Sequence, residues 1–274
     1  MKTILAPTDF SKIARNAIDY AVEIAKSAQA KLILFHVFQI PVIPGEVPIM
    51  LPIDEMEKNA MDGLNKIRES ILSKEENKLL IECRCESGLP AEEINLFAEK
   101  NKVDLIIMGM AGAGYLTEKI VGSITTSLIR KTTYPIVVVD KHVKFKNMKR
   151  IALACDFSES GKKSVLKPLK TLADLFKSHI YIVNVVPKSE TIAPISMAVA
   201  GIKLDHLLET TAHSFHYIKN DDVIEGLNKF IKDKEIDVLT MIPHTHSILT
   251  TIFQEPNTKR MAFHTKTPLL ILHE

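Results

Sequence analysis

The sequence predicts an α/β protein made of two tandem, doubly wound domains, each a mostly parallel sheet with helices on both faces. Three observations carry this. First, the chain repeats itself: Ile4-Leu-Ala-Pro-Thr-Asp9-Phe-Ser11 returns 147 residues later as Ile151-Ala-Leu-Ala-Cys-Asp156-Phe-Ser158. The endings also repeat, at a spacing of 133 residues, with Asp104 against Asp237 and Pro135 against Pro268. Second, strand-like and helix-like segments alternate within each copy, the pattern of βαβ units with right-handed crossovers. Third, Leu105-Ile-Ile-Met108 is apolar without alternation, as suits a parallel strand covered on both faces. The copies span residues 1–143 and 148–274, and the second is shorter by the difference between the two spacings, about the length of a proline-rich insert after the second strand of the first.

Taken in order, copy one reads as a strand at 2–7, a helix at 12–28, a strand at 31–37 and a helix from about 54 to 73. A strand at 79–84, a helix at 91–101, a strand at 105–108, a helix at 123–131 and a strand at 136–139 complete it. Ser11 is the expected N-cap of the first helix.

Composition narrows the class. With 274 residues, 46% of them hydrophobic, the chain can bury large cores, and its net charge of +2 calls for neither nucleic acid nor an anionic membrane as partner. Cys83, Cys85 and Cys155 are odd in number and lack zinc or disulfide spacing, so reduced thiols in a cytoplasmic protein are expected. Neither a targeting nor a membrane-spanning segment is expected.

The informative stretch follows the fourth strand: Gly109, two residues, Gly112, nine residues, then Gly122-Ser123-Ile124-Thr125. Glycines there let backbone approach a ligand, and Gly122, Ser123 and Thr125 stand where the next helix begins. Free N–H groups, hydroxyls and the positive end of the helix dipole converge on an anion site. The spacing fits neither the Walker pattern nor the dinucleotide fingerprint.

It does resemble the adenine-nucleotide loop of the ATP-binding branch of the universal stress protein family. Pro7-Thr8-Asp9, His36-Val37 and Gly88-Leu-Pro-Ala-Glu-Glu-Ile94 are similar to that family's first-strand, second-strand and third-helix motifs. The resemblance covers nearly all of copy one and the framework of copy two. It implies five parallel strands per copy in the order 3-2-1-4-5, with the nucleotide across strands one and four. On that reading Pro7, Thr8 and Asp9 line the adenine and ribose end, and Val37 and Met108 give apolar contact to the base. Gly109 and Gly112 let the loop close on ribose and phosphates, and Gly122, Ser123, Ile124 and Thr125 hold phosphate oxygens. The cofactor is ATP, with or without Mg. For Asp9, Ser123 and Thr125, helix capping is the competing reading.

Copy two lacks the chemistry. At the spacing of 133, Ile242, Thr245, Glu255 and Pro256 replace Gly109, Gly112, Gly122 and Ser123, and Cys155 replaces Thr8. A carboxylate at a helix N-terminus repels phosphate, and a proline removes a donor. One nucleotide per chain is therefore expected.

Several features leave alternatives open. The segments 40–53 and 191–201 read as apolar loops, serving either to pack on the domain or to meet a protein partner. His213 and His216, three apart, suggest a shared helix face, and His244 and His246 flank the altered loop, but no metal-ligand set accompanies them. The function implied is a regulatory stress-response protein that binds ATP. A slow ATPase or nucleotide-transfer enzyme and a scaffold that binds no nucleotide are the alternatives, since no catalytic elbow or metal set is present. Family members pair through their last strands, which implies an intrachain pseudo-dimer between 137–139 and 269–272 and leaves a homodimer of chains open.

Overall fold

The computed structural model describes residues 1–40, 52–74, 78–110, 123–155, 163–189, 195–242 and 267–273. Among the described residues nine elements form the first half: β1 (Thr3–Pro7), α1 (Lys12–Ala28), β2 (Lys31–Phe38), α2 (Ile53–Leu72), β3 (Ile81–Ser87), α3 (Pro90–Lys100), β4 (Leu105–Gly109), α4 (Ser123–Lys131) and β5 (Ile136–Val139). The second half holds β6 (Arg150–Ala154), α5 (Lys163–Phe176), β7 (His179–Val186), α6 (Ile195–Leu208), β8 (His213–Lys219), α7 (Val223–Asp233), β9 (Val238–Met241) and β10 (Leu269–Ile271).

The ten strands among the described residues join one sheet in the order β3-β2-β1-β4-β5-β10-β9-β6-β7-β8. Each half therefore has the expected order, and the two five-stranded sheets are joined into one. The seam is the antiparallel pair β5 and β10, with Val138 opposite Leu269 and Ile136 opposite Ile271. Pairing these last strands removes one open edge from each half and leaves β3 and β8 at the ends of the joined sheet.

The repeat is visible in matched hydrogen bonds. Asp104 accepts the backbone N–H groups of Lys2 and Thr3, and Asp237 accepts that of Arg150. A carboxylate just before the fourth strand thus anchors the start of the first in both halves. Two apolar layers flank the sheet. On one face the first helix of each half covers residues such as Ile4, Leu105, Ile151 and Leu153, and on the other α3, α4 and α7 cover Leu5, Ile106 and Leu239.

The structure corrects two expectations. The segment 191–201 is not all loop, because α6 begins at Ile195, directly after Pro194, and a proline is compatible with the start of a helix whose first N–H groups lack partners. His213 and His216 lie on strand β8 rather than a helix, and a spacing of three puts them on opposite faces of the sheet. Of the segment 40–53, residues 41–51 lie outside the described residues, and the flanking Ile40 and Ile53 are exposed. Among the described residues no helix is long and apolar enough to cross a membrane.

Candidate functional site

The order reverses at β1, whose neighbours are β2 and β4, and ligands in open α/β sheets bind beyond the carboxyl ends of strands at such a point. Pairing of Ile4 with Leu105 and Leu5 with Ile106 brings the ends of β1 and β4 side by side. Pro7 and Thr8 thus sit near Met108 and Gly109.

A run of local hydrogen bonds shapes the exit from β1. The backbone N–H of Thr8 donates to the Phe35 carbonyl (2.8 Å), and its own carbonyl meets His36 Nδ1 (2.8 Å). The Thr8 hydroxyl accepts the Phe10 N–H, and Asp9 Oδ1 accepts the Ser11 N–H, both at 3.0 Å. Ser11 Oγ then accepts from Ala14 as the N-cap of α1, as expected. These bonds hold Phe10 at φ 63°, a left-handed conformation uncommon for a bulky residue. Its ring stacks on His36 with centroids 4.5 Å apart, and it lies so near Gly63 of α2 that a β-carbon there would stand 2.8 Å from it. Neither Phe10 nor His36 stands out in the sequence for a role of its own. The glycine inside α2 is the one signal of this contact.

On the other side of the crevice, Met108 is buried and Val37 half-buried, both packed on the face covered by α3 and α4. A β-carbon on Gly109 would stand 2.7 Å from Ile13 Cγ2 and 3.3 Å from the Ile13 backbone. The bareness of Gly109 is therefore required by the passage of α1, a packing reason independent of any ligand.

Helix α4 begins at Ser123. Ser123 and Ile124 are exposed, whereas Thr125 is buried and donates its hydroxyl to the Gly109 carbonyl (3.0 Å). The first turn of α4 carries no acidic residue and the last carries Arg130 and Lys131, so the helix's own charges follow its dipole. The structure thus groups Pro7, Thr8, Asp9, Met108, Gly109, Ser123, Ile124 and Thr125 at one sheet edge, with Val37 on the adjoining strand. Gly112 and Gly122 lie outside the described residues.

The second half keeps the frame and changes its contents. Cys155 takes the place of Thr8 and donates its N–H to the Val183 carbonyl (3.0 Å), while Asn184 takes the place of His36 and donates to the Cys155 carbonyl (2.8 Å). Ile242, in the place of Gly109, is buried. Asp156, Thr245, Glu255 and Pro256 lie outside the described residues, as do His244, His246 and His264.

Among the described residues no group of three or more His, Cys, Asp and Glu side chains could hold a metal. The histidines of β7 and β8 have other partners. Ser214 Oγ lies 2.8 Å from His179 Nε2 and 2.9 Å from His216 Nε2, so the hydroxyl links the two rings. Burial, more than the neighbouring His213 and Lys234, pushes the pKa of both imidazoles down. His213, on the opposite face, pairs with Asp205 of α6 (3.0 Å).

This geometry has counterparts among known proteins. A model described as the Universal stress protein family matches residues 1–140. Universal stress protein MJ0531 of Methanocaldococcus jannaschii is 32% identical over 146 residues, covering 52% of this chain and 84% of that protein. Universal stress protein YxiE of Bacillus subtilis is 30% identical over 143 residues, covering 50% of this chain and 97% of that protein. Among solved structures, a universal stress protein from Archaeoglobus fulgidus superposes with a TM-score of 0.73 at 17% identity, over 99% of this chain and 96% of that one. A functionally unknown protein, PA1789 from Pseudomonas aeruginosa, gives 0.62 at 14% identity, over 100% and 92%. At these identities the structural likeness concerns the fold alone, and it extends through both halves.

Proposed function

The chain belongs to the universal stress protein family, and from that membership and the geometry of its first half we propose that it is a stress-response regulator that binds one ATP per chain. The repeats at 1–143 and 148–274 divide the work: the first takes the nucleotide, and the second serves as structural partner in an intrachain pseudo-dimer. One observation carries the reading. The carboxyl ends of β1 and β4 meet beside a helix whose first turn bears no acidic residue and is anchored to β4 by Thr125.

In the bound state Asp9 accepts from the base or sugar, and Val37 and Met108 face the base. Gly112 and Gly122 leave main chain bare for the phosphates, and the N–H groups of Ser123, Ile124 and Thr125 with the hydroxyl of Ser123 receive the phosphate oxygens. Because Thr125 already spends its proton on Gly109, only its backbone N–H is a free donor candidate there. Mg, where present, neutralises the phosphates. The regulatory reading is favoured over an enzyme because the sequence carries no catalytic elbow and no metal-ligand set.

The test is to purify the untagged chain and identify by mass spectrometry any small molecule released on denaturation, then to follow phosphate release. Bound ATP that persists for hours supports the proposal. Prompt turnover would make the protein an enzyme, and absence of nucleotide with no uptake in calorimetry would leave an interaction scaffold.

A further inference from the structure

The C-terminal strand of the second half reaches into the first. Beyond β10 the chain continues through buried Leu272 to His273, whose ring lies between two backbone carbonyls of the first half: Nε2 is 2.8 Å from the Ile129 oxygen and Nδ1 is 3.0 Å from the Tyr134 oxygen. Ile129 belongs to the last turn of α4. A helix leaves its last four carbonyls without intrahelical donors. In α4 the Leu128 carbonyl is met by the Thr132 N–H, and the Ile129 carbonyl by His273 from the other half.

We propose that His273 is a positioning residue, a clamp by which the second half holds the C-terminal end of α4 so that its N-terminal end is presented to the nucleotide. The proposal rests on the nucleotide reading above and adds the means by which the half without a nucleotide loop supports the half that has one. Helix α4 has nine residues, too few to be stable as an isolated helix. Its buried Leu128 and Ile129 pack it on the sheet and Lys131 pairs with Glu92 of α3, while hydrogen bonds near its two ends fix where those ends lie. Near its start the hydrogen bond is Thr125 on Gly109, and at its finish the part-buried one is from His273, beside the exposed Lys131–Glu92 pair. A donor at the C-terminal end also complements the helix dipole, the same dipole that favours phosphate at the other end. Burial drives the ring towards its neutral form against the pull of the two carbonyls. The neutral ring has one N–H, so the ring serves one carbonyl at a time.

The arrangement is one-sided. At the spacing of 133 residues the counterpart of His273 is Asp140, and a carboxylate has no proton to donate. Asp140 instead accepts the His142 N–H (2.8 Å), and its carbonyl accepts from Asn16 (3.0 Å), both within the first half. The histidine is found where it can support α4, the helix beside the intact glycine pattern.

The test compares the full chain with His273→Ala and with His273→Gln, whose amide can still donate to the Ile129 carbonyl. Without nucleotide, hydrogen exchange of the α4 amides should quicken in the alanine variant, return towards wild type in the glutamine variant, and stay unchanged in β1 and β4. In calorimetry the alanine variant should bind ATP about three- to tenfold more weakly, the scale of one favourable helix-end interaction, with glutamine restoring most of the loss. Unchanged α4 exchange in His273→Ala overturns the clamp whatever ATP does. Faster α4 exchange with unchanged ATP affinity overturns the positioning role, as does equal loss in both variants in step with melting temperature. If the wild-type chain takes up no ATP, the nucleotide reading itself fails and the positioning role falls with it, while the exchange result still reports on the clamp.

Discussion

Thr125 donates its hydroxyl to the carbonyl of Gly109, 3.0 Å away, and so ties the first turn of α4 to the end of β4. The bond is buried, so its loss is not replaced by water. Thr125→Val keeps the shape and removes the donor, and should cost about 1 to 3 kcal/mol in denaturant unfolding. Thr125→Ser keeps the donor and should cost less. If ATP sits at this turn, the valine variant should also bind it more weakly.

Gly109 and Gly122 should separate packing from binding. A β-carbon at Gly109 meets Ile13, so Gly109→Ala should destabilise the chain by about 1 to 3 kcal/mol with or without nucleotide. Gly122→Glu copies Glu255 of the second half, setting a carboxylate where phosphate should bind. It should leave the denaturation midpoint near wild type and lower ATP affinity at least about tenfold. Undiminished uptake in calorimetry would refute the proposed phosphate site.

Asp104 and Asp237 give a test of the repeat. Each carboxylate anchors the start of its half's first strand, but Asp104 accepts two backbone N–H groups and Asp237 one. Asp104→Ala should therefore lower unfolding free energy by about 1 to 2 kcal/mol, and more than Asp237→Ala. Asn at either position, which keeps an acceptor oxygen, should recover part of the loss.

Much of this architecture is legible in the order of the residues. The repeat spacing of 133 residues identifies Asp104 with Asp237, and the alternating pattern gives α1, α4 and β5 at the bounds observed. The order of strands comes from family resemblance, because no local pattern says which strand neighbours which. Contacts across long separations stay hidden. His273 and Ile129 are 144 residues apart, and nothing in either segment announces the other. Local misreadings have local causes. His213-Ser-Phe-His216 suggests a helix face if only the histidines are counted, but Phe215, Tyr217 and Ile218 are strand formers and carry β8. Met197, Ala198 and Ala200 make 191–201 look like an apolar loop when Pro194 and Gly201 are taken as breakers. Pro194 instead immediately precedes the first turn of α6.

The last prediction turns on two sheet edges that carry different chemistry in matching places. Thr3 pairs with Lys31 as Arg150 pairs with His179, and Leu32 pairs with Ile81 as Ile180 pairs with His213. Lys31, Glu82 and Arg84 therefore match His179, Ser214 and His216. In the first half Glu82 accepts from Lys31 (2.9 Å) and pairs with Arg84, and the Lys31 hydrogen bond, above all, holds its carboxyl below the usual range. In the second half a neutral hydroxyl links two imidazoles, beside Tyr181, Phe230 and Lys234 of the adjoining elements. Both rings release their protons at lower pH when folded than when unfolded, where the value is about 6.5. Below that pH the unfolded chain binds more protons, so stability should fall as the pH drops. Melting curves at pH 7.5 and 5.5 should show this loss, and it should shrink in the double variant His179→Gln, His216→Gln. Ser214→Glu restores the central carboxylate of the first half, which would raise the proton affinity of both rings and reverse their contribution, so that mild acid favours folding there. An unchanged acid loss in that variant would show that the His179 and His216 pair does not govern the pH response.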